Sequence, residues 1–115
     1  MEKPTRGEIW EVNFHPSIGA EIQKVRPAVI MNVPDVGWLP LAIVVPITEW
    51  QPAFDRLPWF TKLTATRENG FSKDSGTDTF QVKSISVQRL VRKVGQLAED
   101  ETDSIGEAIA LCIGV

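Results

Sequence analysis

Two short β-branched runs, Arg26-Pro27-Ala28-Val29-Ile30 and Val44-Val45-Pro46-Ile47-Thr48, constrain this chain more than any other feature. Continuous apolar runs of this length, rich in Val and Ile, read as buried strands. Each carries one polar side chain at its boundary: an arginine opens the first and a threonine closes the second. Arg26 precedes a proline, which pushes its backbone to the extended region. Its guanidinium is therefore presented from a stiff strand start rather than a loop tip.

The rest of the chain supports a sheet around these runs. Residues 7–14 alternate Ile9, Glu11 and Asn13 with Trp10, Val12 and Phe14, the period of a strand. Residues 15–25 contain Pro16 and Gly19 and read as a loop. The first buried strand is expected over 28–33, closed by Pro34-Asp35-Val36-Gly37, and the second over 39–48. Pro46 interrupts the second; lacking an amide donor, it belongs on an edge or at a bulge. Residues 49–58 read as irregular, a fourth strand falls near 59–65, and a fifth over 79–87. Gly70 and Ser72-Lys73-Asp74-Ser75-Gly76 mark the loop between those two. Helical spacing appears only at the end, where Ile105, Ala108, Ile109, Cys112 and Ile113 form one stripe. It predicts a helix over about 100–113, capped by Asp100, favoured by acids in its first turn and closed by Gly114. Gly106 inside it costs ~1 kcal/mol relative to alanine. About five strands and one closing helix describe a small, mostly β barrel.

At 115 residues the chain is expected to form one domain, 1–115. No apolar stretch approaches the ~20 residues that span a bilayer. The first residues lead straight into a strand without a secretory signal, so a cytoplasmic protein is expected. A single cysteine, Cys112, excludes an internal disulfide and a cysteine metal cluster. A single histidine, His15, argues against a histidine zinc site. The net charge is −3, but five of the 15 acids lie in the last 17 residues. Residues 1–98 carry 12 bases against 10 acids, a net of +2. That distribution permits a nucleic-acid partner, bound through few phosphates in a defined cleft.

There is no GxSxG elbow, HExxH pair, P-loop or Gly-rich dinucleotide motif. An enzyme built from these residues works without a metal and largely without imidazole. RNA offers one reaction that suits such a site. Its own 2′-hydroxyl attacks the adjacent phosphorus through a dianionic phosphorane, leaving a cyclic phosphate and a 5′-hydroxyl. The protein then needs only to orient the chain, stabilise charge and move protons. A guanidinium can donate two parallel hydrogen bonds to phosphoryl oxygens, and a threonine hydroxyl can donate another. On its own, an arginine at a strand end is more often a solvated surface group.

Beyond the two runs, Arg6-Gly7-Glu8-Ile9-Trp10-Glu11-Val12-Asn13-Phe14, Gly70-Phe71-Ser72-Lys73-Asp74-Ser75, Gln81-Val82-Lys83-Ser84-Ile85 and Val94-Gly95-Gln96-Leu97 follow in order. Together they resemble the MazF/PemK family of toxin endoribonucleases over roughly residues 6–114. The resemblance implies an SH3-like small barrel of the MazF/PemK/CcdB type with a C-terminal helix. It implies metal-independent, sequence-selective cleavage of single-stranded RNA with no cofactor, a homodimer, and inhibition by a cognate antitoxin. The family's catalytic arginine and threonine fall on Arg26 and Thr48, and its loop glutamate on Glu21. The RNA-binding surface implied comprises Gly19, Glu21, Gln23, Lys24, Glu49, Trp50, Lys73, Ser75 and Gln81.

Three positions depart from the family pattern: Ile22 replaces a glutamine, Phe80 an acid, and Ser86 an aspartate. They bear on substrate selection and leave the catalytic pair intact. His15, before Pro16, reads as a turn residue. Trp38, Trp50 and Trp59 can stack on bases, anchor a partner or pack in the core. A non-catalytic barrel acting by protein binding, as the gyrase poison CcdB does, and an inactive paralogue are the alternative readings.

Overall fold

The computed structural model describes residues 3–16, 18–21, 24–33 and 39–115. Seven antiparallel strands among them are β1 (Glu8–Asn13), β2 (Val25–Ile30), β3 (Leu41–Glu49), β4 (Phe60–Leu63), β5 (Ser75–Asp78), β6 (Lys83–Ser86) and β7 (Leu90–Gln96). Helix α1 (Glu99–Ile113) ends the chain. The sheet runs β4-β5-β3-β2-β1-β7, with β6 also paired to β3. The mostly β architecture with a closing helix is the one expected.

The apolar runs read as continuous because both faces of the central strands are covered. On one face Trp10, Val12, Ala28, Ile30, Ala42 and Val44 pack with Phe14, Ile85 and Leu90. On the other, Ile9, Val29, Met31, Val45 and Ile47 meet Leu63, Leu97 and Ile105 of α1. The helical stripe fades along α1: Ile105 is fully buried, Cys112 half-buried, and Ile113 exposed.

Several boundaries differ from expectation. Strand β2 occupies 25–30 instead of 28–33, because β1 reaches back to pair Asn13 with Val25. Arg26 is thus within the strand rather than before it. Strand β3 begins at Leu41 rather than at 39 and runs on to Glu49. Pro46 is buried in this central strand, not at an edge. It sits where β3 changes neighbours, since residues 41–44 pair with β6 and 47–49 with β5. A missing donor is tolerated at such a changeover. The strand expected over 79–87 is split. Ser75 and Gly76, read as loop, belong to β5, and the Asp78 side chain accepts the Phe80 N–H (3.2 Å) and turns the chain through 79–81 before β6. Strand β7 was not expected. Two register shifts against β1 disturb its alternation.

Helix α1 starts at Glu99, so Asp100, expected as its cap, lies in the first turn instead. Its N-cap is Ala98, which offers no side-chain acceptor, while Glu101 Oε1 accepts the Ala98 N–H (3.1 Å). Glu99, Asp100 and Glu101 favour the positive end of the helix dipole, and Gly114 closes the helix at φ 77°.

Glu8 ties the barrel's start to β7. Burial pushes its carboxyl up, but the Thr5 N–H (2.8 Å), Lys93 (2.9 Å) and Trp10 Nε1 (3.1 Å) donate to it. These bonds, with the Lys93 charge, hold it below the ordinary glutamate range.

Candidate active site

The β2–β3 ladder pairs Ala28 with Pro46, Val29 with Val45 and Ile30 with Val44. Continued by two residues, that register sets Arg26 across from Thr48. Both line a cleft of about 200 Å³ with Pro27, Ile47, Glu49, Phe71, Ser72, Lys73, Asp74 and Ser75. The two polar strand-end residues, 22 positions apart in sequence, are therefore brought to one place.

The far wall of the cleft is a loop held by side chains. Buried Asn69 accepts the Thr66 and Phe71 N–H groups through Oδ1, each at 3.0 Å, and donates to the Thr64 carbonyl (2.9 Å). Asp74 accepts the Ala65 N–H (3.0 Å) through Oδ1, faces Lys62 at 3.9 Å, and accepts the Trp50 N–H at its carbonyl (3.0 Å). Both Asp74 and Phe71 belong to the motif noted in the sequence. Asn69 was missed, although an Asn-Gly pair marks a turn.

Charge in the cleft is unevenly matched. Lys73 pairs with Glu49 at 3.4 Å. The exposed Arg26 guanidinium has no hydrogen bond or ion pair among the described residues, and neither does the Thr48 hydroxyl. A guanidinium without a carboxylate, beside a free hydroxyl, is suited to taking a phosphate.

The other expected RNA-binding residues divide. Glu49, Lys73 and Ser75 share the Arg26 cleft, whereas Trp50 does not line it and packs edge-on to Phe54 with Lys62 5.4 Å from its ring. Glu21 and Gln81 instead line a second cleft of about 230 Å³ with Phe80, Val82 and Lys83. There Glu21 Oε2 meets Lys83 at 3.5 Å, Oε1 accepts the Ile18 N–H (3.0 Å), and Gln81 Nε2 donates to Asp78 (3.1 Å). Gly19 and Lys24 are exposed in the β1–β2 connection, both at positive φ, 60° and 68°. Gln23, Ile22 and Trp38 lie outside the described residues.

His15 does not line the Arg26 cleft. Its N–H donates to Asn13 Oδ1 (3.0 Å) and its carbonyl accepts from Arg89, the contacts of a turn residue. Trp59 packs edge-on with Phe80 at 5.1 Å. No group of three or more His, Cys, Asp or Glu placed to hold a metal ion occurs among the described residues. Among these residues no helix is long and apolar enough to cross a membrane.

Known proteins are similar to this chain over most of its length. The chain is 31% identical over 112 residues to the endoribonuclease EndoA of Bacillus subtilis (strain 168), covering 96% of this chain and 94% of that one. It is 29% identical over 112 residues to the endoribonuclease MazF9 of Mycobacterium tuberculosis, covering 92% of each. MazF from Deinococcus radiodurans shares the fold, with a TM-score of 0.81 over the whole of both chains at 19% identity. So does a mycobacterial endoribonuclease solved in complex with its cognate antitoxin, with a TM-score of 0.75 at 12% identity, covering 98% of this chain and 97% of that one. Residues 5–113 match the family described as PemK-like, MazF-like toxin of type II toxin-antitoxin system, and the chain belongs to that family.

Proposed function

We propose that this protein is an endoribonuclease toxin that cleaves single-stranded RNA by attack of the substrate's own 2′-hydroxyl. The observation that carries this reading is the unpaired Arg26 guanidinium sharing a cleft with the Thr48 hydroxyl. The names of its curated relatives support it.

In this mechanism the 2′-oxygen forms a bond to phosphorus and passes its proton to solvent water, the bond to the 5′-oxygen breaks, and water returns a proton to that oxygen. Arg26 donates two hydrogen bonds to the non-bridging oxygens as the phosphorane gains charge. Thr48 donates a third and fixes the orientation of the phosphate. Donors on neighbouring strands of a buried sheet cost little reorganisation at the moment of reaction. The 5′-oxygen leaves with a proton, and the other fragment keeps a 2′,3′-cyclic phosphate. No step requires a metal or a cofactor.

The chain acts as one cytoplasmic domain and as a homodimer, with an antitoxin segment competing with RNA for the Arg26 cleft. The complex of a structural neighbour with its cognate antitoxin supports that partner. Incubating the pure protein with RNA in EDTA tests the reaction. The expected products end in a 2′,3′-cyclic phosphate and a 5′-hydroxyl. Uncut RNA, or fragments with a 5′-phosphate, would overturn the reading.

A further inference from the structure

The second cleft contains an aromatic side chain in an unusual setting. Phe80 is 63% exposed at the turn between β5 and β6, although phenylalanine is among the residues most often buried. Its position is built rather than loose. Asp78 accepts its N–H at 3.2 Å, and Trp59 meets its ring at 5.1 Å and 89°. Lys83, which faces Glu21 at 3.5 Å, supplies a cation on the same cleft.

This cleft lies along the same strand as the first. Lys83 pairs with Val44 on β3, and Thr48 is four residues further along, about 13 Å at ordinary strand rise. A short stretch of single-stranded RNA can span that distance. We infer that Phe80 is a stacking platform for one unpaired base of the bound RNA, with Lys83 exchanging Glu21 for a neighbouring phosphate. The inference rests on the reading of this protein as an RNA-cleaving toxin. The ligand class is an unpaired nucleobase, with purines favoured by their larger face. Base–aromatic stacking adds affinity without requiring a particular hydrogen-bonding edge.

A short 2′-O-methyl RNA, which binds without being cut, can carry 2-aminopurine at successive positions. Titrated with the wild-type protein, the fluorescence should change at one position. Phe80→Leu keeps an apolar side chain but removes the flat face. It should abolish that change, weaken binding ~10-fold and lower kcat/KM on ordinary RNA similarly, while Phe80→Tyr restores all three. Wild-type behaviour of Phe80→Leu in every measurement would overturn the inference. So would unchanged probe binding with lost self-association in light scattering, which would assign Phe80 to a protein contact. A wild-type protein that stacks the probe through Phe80 but cuts no RNA would leave the inference standing and sink the cleavage mechanism.

Discussion

Gly76 lies against the indole of Trp50: a Cβ there would sit 2.9 Å from Trp50 Cε3 and 3.2 Å from Phe60 Cδ1. Gly76 is also the residue paired with Thr48. The aromatic cluster and the cleft therefore meet at one strand position. Phe54 fixes both rings, stacked on Phe60 at 3.9 Å and edge-on to Trp50 at 5.6 Å.

Gly76→Ala should for this reason destabilise the fold by about 1–3 kcal/mol, the usual cost of overpacking. Thermal unfolding would register this as a drop of several degrees. An unchanged midpoint would mean that Trp50 swings aside freely.

Arg26→Ala should abolish detectable cleavage, and Thr48→Ala should lower it ~10²–10³-fold, the usual loss for a preorganised donor. Arg26→Lys should fail as well, because an ammonium cannot replace the two-pronged guanidinium. All three should keep the wild-type circular dichroism spectrum. His15→Ala should cleave nearly as well as wild type. A dead His15→Ala beside an active Arg26→Ala would make the imidazole the catalyst.

Glu8 sets a pH dependence of stability. Its folded pKa is lowered from the ordinary 4.5, so its contribution is complete above that value and is lost as pH falls through the lower folded one. Chemical denaturation at neutral and acid pH should show this loss in the wild type. Glu8→Gln should be less stable at neutral pH and flatter across the acid range. Parallel curves would remove Glu8 from the account.

Asn69→Ala should cost at least about 2 kcal/mol, since the Thr66 and Phe71 N–H groups both lose their acceptor. Loosening that loop should also raise KM for RNA. Asn69→Asp keeps the acceptor but sets a buried carboxylate oxygen against the Thr64 carbonyl, so it should destabilise the fold as well. A wild-type denaturation midpoint for either variant would contradict this role.

The interiors of β1, β2 and β3 are legible in the sequence because local patterning and burial agree there. Strand β7 is not, because its bulges against β1 break the alternation that marks a strand. The turn at 79–81 depends on one side chain, Asp78, folding back on its own backbone, which periodicity does not register. Arg26 and Thr48 stand out as polar residues at the ends of apolar runs, yet only the folded sheet brings them into one cleft. The second cleft joins Glu21 to Lys83 across 62 positions, a tertiary relation that no local pattern encodes.

The pairing of Lys73 with Glu49 and Lys83 with Glu21 has a thermodynamic consequence for substrate binding. A lysine that leaves a carboxylate for a phosphate exchanges one anion for another and sets free few condensed ions from the nucleic acid. The unpaired Arg26 supplies most of the net gain. Single strands follow a slope of about −0.7 per phosphate neutralised, so raising salt fourfold should weaken binding only roughly threefold per such contact. This protein should then remain bound to RNA at ionic strengths that strip strongly basic nucleases from theirs.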